Sequence, residues 1–246
     1  MGAIVDTLLS SLSRDAPVRQ VLIGLHWTVV CSRHCGMAAT LFSDQPHGDA
    51  PLPAIGHLHE KTVLELAQWA RSPVLLEASI GVAAINSVLE VDDSAAVQIN
   101  AAEVLAERGR GKKIALVGHF PFVPRLRQVT DHLWVIEQHP TEGDYPAEAA
   151  SDLIPKADIV AITSSALINQ TLDGLLALCH PSAWVMLLGP STPLSPQLFQ
   201  RGVSMLSGTR VIDEASVLRT VGQGASFRQV EGTKLLTMVR GKDQAQ

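Results

Sequence analysis

Hydrophobic positions along this chain follow three rhythms, and each predicts a different element. The opening stretch MGAIVDTLLSSLSRDAP reads as an amphipathic helix: Asp6 sits inside it and no basic residue precedes its apolar part, which is not the layout of a signal peptide. Residues 17–42 contain two runs rich in β-branched and apolar residues around the polar break Ser32-Arg33-His34, a hairpin pattern. Residues 60–71 and 74–90 carry apolar positions at three- and four-residue spacing, with Pro73 as the break between two helices. The first part of the chain is therefore α+β, strands before helices.

A polar bridge, partly helical, runs from Glu90 to Gly111, and the loop Arg108-Gly109-Arg110-Gly111 marks a boundary between units at 1–108 and 109–246. Beyond Lys112 the rhythm becomes strand, helix, strand. Short continuous apolar runs fall at 114–118, 133–137, 158–163, 184–189 and 203–206, with helical segments between most of them, clearest at 170–179. Such runs predict a doubly wound, mostly parallel sheet covered on both faces, and an α/β fold class for the whole. Lys234 to Val239 reads as an edge strand, and the polar tail 241–246 as frayed. No internal repeat or low-complexity tract interrupts this.

The 246 residues, 46% hydrophobic and 17% charged, suffice for a substantial core. A net charge of −5 leaves no electrostatic footprint for nucleic acid or an anionic membrane. No apolar run reaches the roughly 18 residues of a spanning helix. Three cysteines, Cys31, Cys35 and Cys179, are an odd number, so a disulfide framework is not expected and a cytoplasmic setting is the simpler reading. Cys31 and Cys35 flank His34, but a tetrahedral zinc site would need two further ligands. Small thiols in a core or turn, with Cys179 buried near a helix end, are the reading preferred.

In an open parallel sheet, ligands sit beyond the carboxyl ends of the strands. The segments that follow the strands are Gly118-His119-Phe120-Pro121, then Gln138-His139-Pro140 after Glu137, then Thr163-Ser164-Ser165 with Asn169, then Gly189-Pro190-Ser191-Thr192-Pro193. They are rich in glycine, proline and small hydroxyls, which build tight loops. Glu137 lies 19 positions after Gly118, where a dinucleotide-binding fold places its ribose-binding acid, although the G-x-G-x-x-G run is missing. It is either such a ligand or an exposed strand-end carboxylate. His119 is either a hydrogen-bonded structural residue or a ligand and proton-transfer group. His119, Glu137 and Asp144, with His139 nearby, compose a mixed nitrogen and oxygen donor set of no standard metal spacing. No G-x-S-x-G elbow supports a serine nucleophile. In LLEASIGVAAINSVLE, Glu77 and Asn86 fall on opposite faces of one helix, so they cannot share a pocket; Glu77 favours the helix dipole and Asn86 suits a satisfied buried amide. Asn169 and Thr171 are candidate N-caps.

The segments EASIGVAAINSV (77–88), VGHFPFVPRL (117–126), EQHPTEGDYP (137–146), LIPKADIVAITSSALINQTLDGLLAL (153–178) and LLGPSTPLSPQLFQRGVSMLSG (187–208) resemble the heavy-metal chelation family, formerly a domain of unknown function. The resemblance implies an enolase-N-terminal-like α+β domain followed by a Rossmann-like one. It also implies a site between the two, with a homodimer whose second subunit could complete it. Cys31 and Cys35 stand outside the family pattern. The expected function is binding of a small polar ligand, a transition-metal ion or metal chelate, by Gly118, His119, Phe120, Glu137, Pro140, Asp144, Tyr145, Thr163, Ser164, Asn169, Gly189, Pro190, Thr192 and Pro193. His119, Glu137 and Asp144 would be the metal donors. The alternative is an enzyme that uses a nucleotide-type cofactor or S-adenosylmethionine to modify a metallophore or small acid; a third reading is a partner-binding accessory protein.

Overall fold

A computed structural model describes residues 2–43, 52–91 and 96–241. Helix α1 (Ala3–Ser11) opens the chain and leads to an antiparallel sheet of β1 (Gln20–Ile23), β2 (Trp27–Cys31) and β3 (Cys35–Ala39). The single β-rich run expected before Ser32 is thus two strands, divided by a turn at 24–26, because antiparallel neighbours need only a short reversal. The hairpin at 32–34 is present. Its register sets Cys31 directly opposite Cys35, with Cα atoms 4.1 Å apart, and the two form a disulfide. This corrects the expectation of unpaired thiols: the odd cysteine is Cys179 alone. The sheet is buried on both faces, with Val30 and Ala38 in one cluster and Val29, Cys31, Cys35 and Met37 in another.

Helix α2 (Val63–Ala67) starts on a capping box between Thr62 and Glu65 and runs on as a tighter turn to Arg71. Pro73 ends that segment, and α3 (Leu75–Val88) follows. Ten of the fourteen residues of α3 are buried, so it is apolar nearly all round, as a central helix must be. Its small residues let backbones touch: a Cβ on Gly81 would lie 2.0 Å from Ala70 N, and one on Gly36 of β3 would lie 2.2 Å from Ala83 O. Glu77, in the first turn, accepts a hydrogen bond from Ser72 Oγ.

The second sheet takes β4 (Ala96–Val97), and helix α4 (Ala101–Arg108), capped by Asn100, precedes its central strands. The boundary read at residue 108 falls after these two elements, which already pack with the larger sheet. The next elements are β5 (Lys113–Val117), α5 (Val123–Arg127), β6 (His132–Glu137), β7 (Tyr145–Pro146) and α6 (Ala150–Leu153). Then come β8 (Ile159–Thr163), α7 (Ser165–Ile168), α8 (Leu172–Leu178), β9 (Trp184–Leu188), β10 (Met205–Val211), α9 (Glu214–Gly222) and β11 (Thr233–Val239). The order across the sheet is β4-β11-β10-β9-β8-β5-β6-β7. From β10 to β7 every pairing is parallel; β11 is antiparallel to both its neighbours. β11 is therefore not the edge: the two-residue β4 covers it, a pairing that carries no local signal. Residues 242–246 of the tail lie outside the described residues.

The fold is thus mixed α/β, with a small antiparallel sheet and a large, mostly parallel one. Residues on one face of the large sheet, including Ala115, Val160 and Leu187, join a single core with α1, α2 and α3. The other face, with Ile114, Ala161 and Met186, packs on α4 and α5. Helix α9 returns from the second half to cover the outer face of the small sheet through Val217 and Val221. No described helix is long and apolar enough to cross a membrane.

Candidate functional site

The strand order places a switch point between β5 and β8. From β5 the chain moves outward to β6 and then returns to the opposite side at β8. The connections diverge there and leave a crevice beyond the strand ends. A cleft of about 380 Å³ occupies that place. Gly118 to Phe120, Glu137 and Gln138, Thr163, Asn169 and Thr171 line it, and Leu41 of the small lobe closes one side.

Gly118 is required where it stands. Its φ is +105°, and a Cβ would lie 3.0 Å from Thr163 Cβ, so the turn after β5 can lie against β8 only without a side chain. That turn presents the His119 amide to Glu137, whose Oε1 accepts it at 2.5 Å while Oε2 accepts from Gln138 N at 3.1 Å. Glu137 therefore ties the ends of β5 and β6 together, and its carboxylate still has lone pairs to offer a ligand.

His119 is held from behind. Its Nδ1 lies 2.9 Å from Asp144 Oδ2, which also accepts from Thr141 Oγ1 at 2.7 Å and Thr141 N at 3.2 Å. The Asp144 side chain is wholly shielded, whereas the imidazole is 44% exposed. Burial alone would raise the Asp144 carboxyl, but hydrogen bonds from Thr141 and His119 outweigh it and hold the group below its ordinary value. An ionised Asp144 can only accept, so Nδ1 is the donor of this pair, and the tautomer that this bond selects carries its lone pair on Nε2. Asp144 Oδ1 accepts no hydrogen bond and faces Arg127 Nη2 at 3.8 Å; Arg127 also donates to Gly143 O at 2.9 Å.

The remaining residues divide. Thr163 and Asn169 stand in the wall, Asn169 Oδ1 accepting from Thr171 Oγ1 at 2.7 Å. Thr171 holds the N-cap position of α8 without a capping bond from its side chain. Pro140 and Tyr145 lie outside the lining, Pro140 on the exposed segment after β6 and Tyr145 on edge strand β7. Ser164 is buried behind the wall, its Oγ 2.8 Å from where a Gly189 Cβ would stand. Gly189, Pro190, Thr192 and Pro193 do not line the cleft. Their turn is spent on joining the lobes: Ala39 N donates to Ser191 Oγ at 2.8 Å and Asn86 Nδ2 to Ser191 O at 3.1 Å. Asn86 also donates to Met37 O at 2.9 Å, so it is the satisfied amide its position suggests.

Leu41, Ala147, Ala150 and Leu175 also line the cleft. Nothing in the sequence marks Leu41, because its place follows from how the small lobe docks. Among the described residues, Cys31, Cys35 and Glu214 are the group that brings three such ligand atoms within 4.8 Å of one another; His119, Glu137 and Asp144 are not drawn together that tightly.

Residues 5–89 match the family DUF4213 and residues 100–240 the family DUF364, both described as "Putative heavy-metal chelation". The chain is 30% identical over 219 residues to the uncharacterized protein MJ0500 of Methanocaldococcus jannaschii, covering 84% of this chain and 83% of that protein. A crystal structure of a DUF364 protein of unknown function from Desulfitobacterium hafniense superposes with a TM-score of 0.83 at 28% identity, over 96% of this chain and 98% of that one. A second, from Pyrococcus horikoshii, gives 0.80 at 22% identity with the same coverage, a likeness of fold. Its motifs, its architecture and these matches make this chain a member of the DUF4213/DUF364 heavy-metal chelation family.

Proposed function

We propose that the cleft beyond β5, β6 and β8 binds a metal ion carried by a small organic chelator, with the metal as cargo. The carrying observation is His119 in its wall with Asp144 outside the lining and bonded to it: a shielded carboxylate that fixes the imidazole proton on Nδ1 presents Nε2 as a donor, the outer-sphere arrangement usual for metal-binding histidine. Glu137 offers a second, oxygen donor from the next strand. Much of the remaining wall is hydrocarbon, including Leu41, Val117, Ile136, Ala166 and Leu175. A bare hydrated ion has no use for that surface, whereas the organic part of a chelate does, and the volume lies in the range of small-molecule sites. Thr163 and Asn169 supply hydroxyl and amide groups to orient it.

A nucleotide fits less well. The turn at Gly118 lacks the glycine cushion, and α5 is five residues long with Pro124 in its first turn, so no extended helix N-terminus faces a pyrophosphate. Calorimetric titration of metal-stripped protein tests the proposal. Nickel, cobalt or zinc chelated by histidine or citrate should bind with measurable heat, and more tightly than the same ion in water. His119→Ala should weaken binding at least about tenfold, the loss typical even of outer-shell partners of a metal. Equal affinity of the wild type and His119→Ala would refute the assignment.

A further inference from the structure

A second group of metal-competent side chains lies away from the cleft, at the tip of the β2–β3 hairpin. The sulfurs of Cys31 and Cys35 and a carboxylate oxygen of Glu214, the first residue of α9, lie within 4.8 Å of one another. Arg19 closes the group. Its backbone N–H donates to Cys31 O at 2.7 Å, its Nε to Ser32 O at 2.9 Å, and its two terminal nitrogens grip the Glu214 carboxylate at 2.8 Å each. Cys31 is fully buried and Cys35 is 8% exposed.

We propose that the reduced chain binds one thiophilic cation through Cys31, Cys35 and Glu214, and that formation of the Cys31–Cys35 disulfide expels it. Reduction adds two electrons and two protons to the disulfide; a dithiol supplies them and becomes a disulfide itself. Binding then exchanges the two thiol protons for the cation, forming two metal–sulfur bonds. Reoxidation by a disulfide of low-molecular-weight thiols removes two electrons from the thiolates and releases the ion.

Geometry allows the change without moving backbone. With metal–sulfur bonds of about 2.3 Å in tetrahedral array, two sulfurs stand about 3.7 Å apart, a separation reached by side-chain rotation from Cα atoms 4.1 Å apart. Charge favours it as well. Two thiolates and one carboxylate are balanced by a divalent cation and the Arg19 guanidinium, so the cluster is neutral when filled. Glu214 retains lone pairs beyond those that Arg19 occupies. Two sulfur ligands select zinc, cadmium or copper(I) over magnesium or calcium. Three protein ligands leave one coordination position to water or to an acceptor of the ion.

The test uses the full chain, reduced with a phosphine, desalted under nitrogen and titrated with cadmium while thiolate-to-cadmium charge-transfer absorption is followed. The expected result is saturation at one ion per chain, with no band in the air-oxidised protein. Cys31→Ser and Cys35→Ser should each abolish the band. Cys179→Ser and His119→Ala should keep it, which separates this site from the cleft. Glu214→Gln should keep it with affinity at least about tenfold lower, as for loss of even an outer-shell partner. Circular dichroism verifies folding of each variant. A folded, reduced wild type that gives no band overturns the proposal, as does a band that survives either cysteine replacement or disappears with His119→Ala.

Discussion

At the scale of single residues, Asp144 decides how the cleft presents itself. Its Oδ2 gathers three donors, and its carboxyl is held below the ordinary value of 3.8 because the hydrogen bonds from Thr141 and His119 prevail over burial. A depressed folded-state pKa stabilises the native chain at every pH above the unfolded value, and that contribution is lost as pH falls through the lower, folded value. Asp144→Asn should therefore melt below the wild type at pH 7, by about 1–3 kcal/mol for a charged acceptor removed. The gap between the two should shrink as pH drops below about 4, where the carboxylate of the unfolded chain takes up its proton ahead of the folded one. Melting temperatures of both proteins between pH 2 and 7 check this; a gap constant across that range contradicts it. The Cys179 thiol, by contrast, is pushed up to about 11 by burial and stays protonated at neutral pH, so it offers no ligand in competition with the hairpin cysteines.

At the scale of elements, α3 shows what periodicity can and cannot say. Its apolar repeat and the Pro73 break mark where it lies, but not that Gly81 is pressed against the backbone of Ala70. Gly81→Ala gains up to about 1 kcal/mol of helix propensity yet forces a methyl into occupied space, an overpacking cost of about 1–3 kcal/mol or more, so the net sign is destabilising. Gly174 in α8 has nothing within 4 Å of its would-be Cβ, and Gly174→Ala should stabilise by about 0.5–1 kcal/mol. Chemical denaturation of the two variants separates the cases. The same limit governs the strands. Continuous runs such as Ile159–Thr163 announce a buried parallel sheet because both faces are covered. The two-residue β4 and the pairing of Cys31 with Cys35 depend on register and on partners far along the chain, which no local pattern encodes. Within the candidate site, Gly118, Glu137, Thr163 and Asn169 were legible as residues at or beyond the carboxyl ends of strands in a parallel sheet. The turn at 189–193 follows a strand too, but the docking of the small lobe consumes it.

At the scale of the molecule, the two sheets act as one body because the small lobe is held to the large sheet by polar contacts as well as by core. Asn86 on α3 is the central one: its amide spans Met37 O of β3 and Ser191 O of the turn after β9, and the neighbouring β3 residue Ala39 binds Ser191 Oγ. The segment leading out of β3 then carries Leu41 to the wall of the cleft. Lobe docking at this amide thus lies close in the chain to the residue that lines the cleft. Asn86→Ala leaves two carbonyls without their donor and should destabilise the chain by about 1–3 kcal/mol. Asn86→Asp keeps the shape but points a carboxylate at two carbonyl oxygens, which is worse at pH 7. Its folded pKa must rise, because only the protonated acid can donate. Protonation then stabilises the fold, so the aspartate variant should gain on the alanine variant as pH falls through that raised pKa, opposite in sign to the behaviour at Asp144. Both variants should also weaken chelate binding in the cleft, since they loosen the docking of β3 that precedes Leu41, although Leu41 N keeps its bond to Ser79 Oγ and neither removes a group that touches the cleft. Melting curves against pH, paired with the calorimetric titration, read the two effects in the same samples. If stability drops while chelate affinity stays at the wild-type value, the small lobe contributes only scaffold and the site belongs to the large sheet alone.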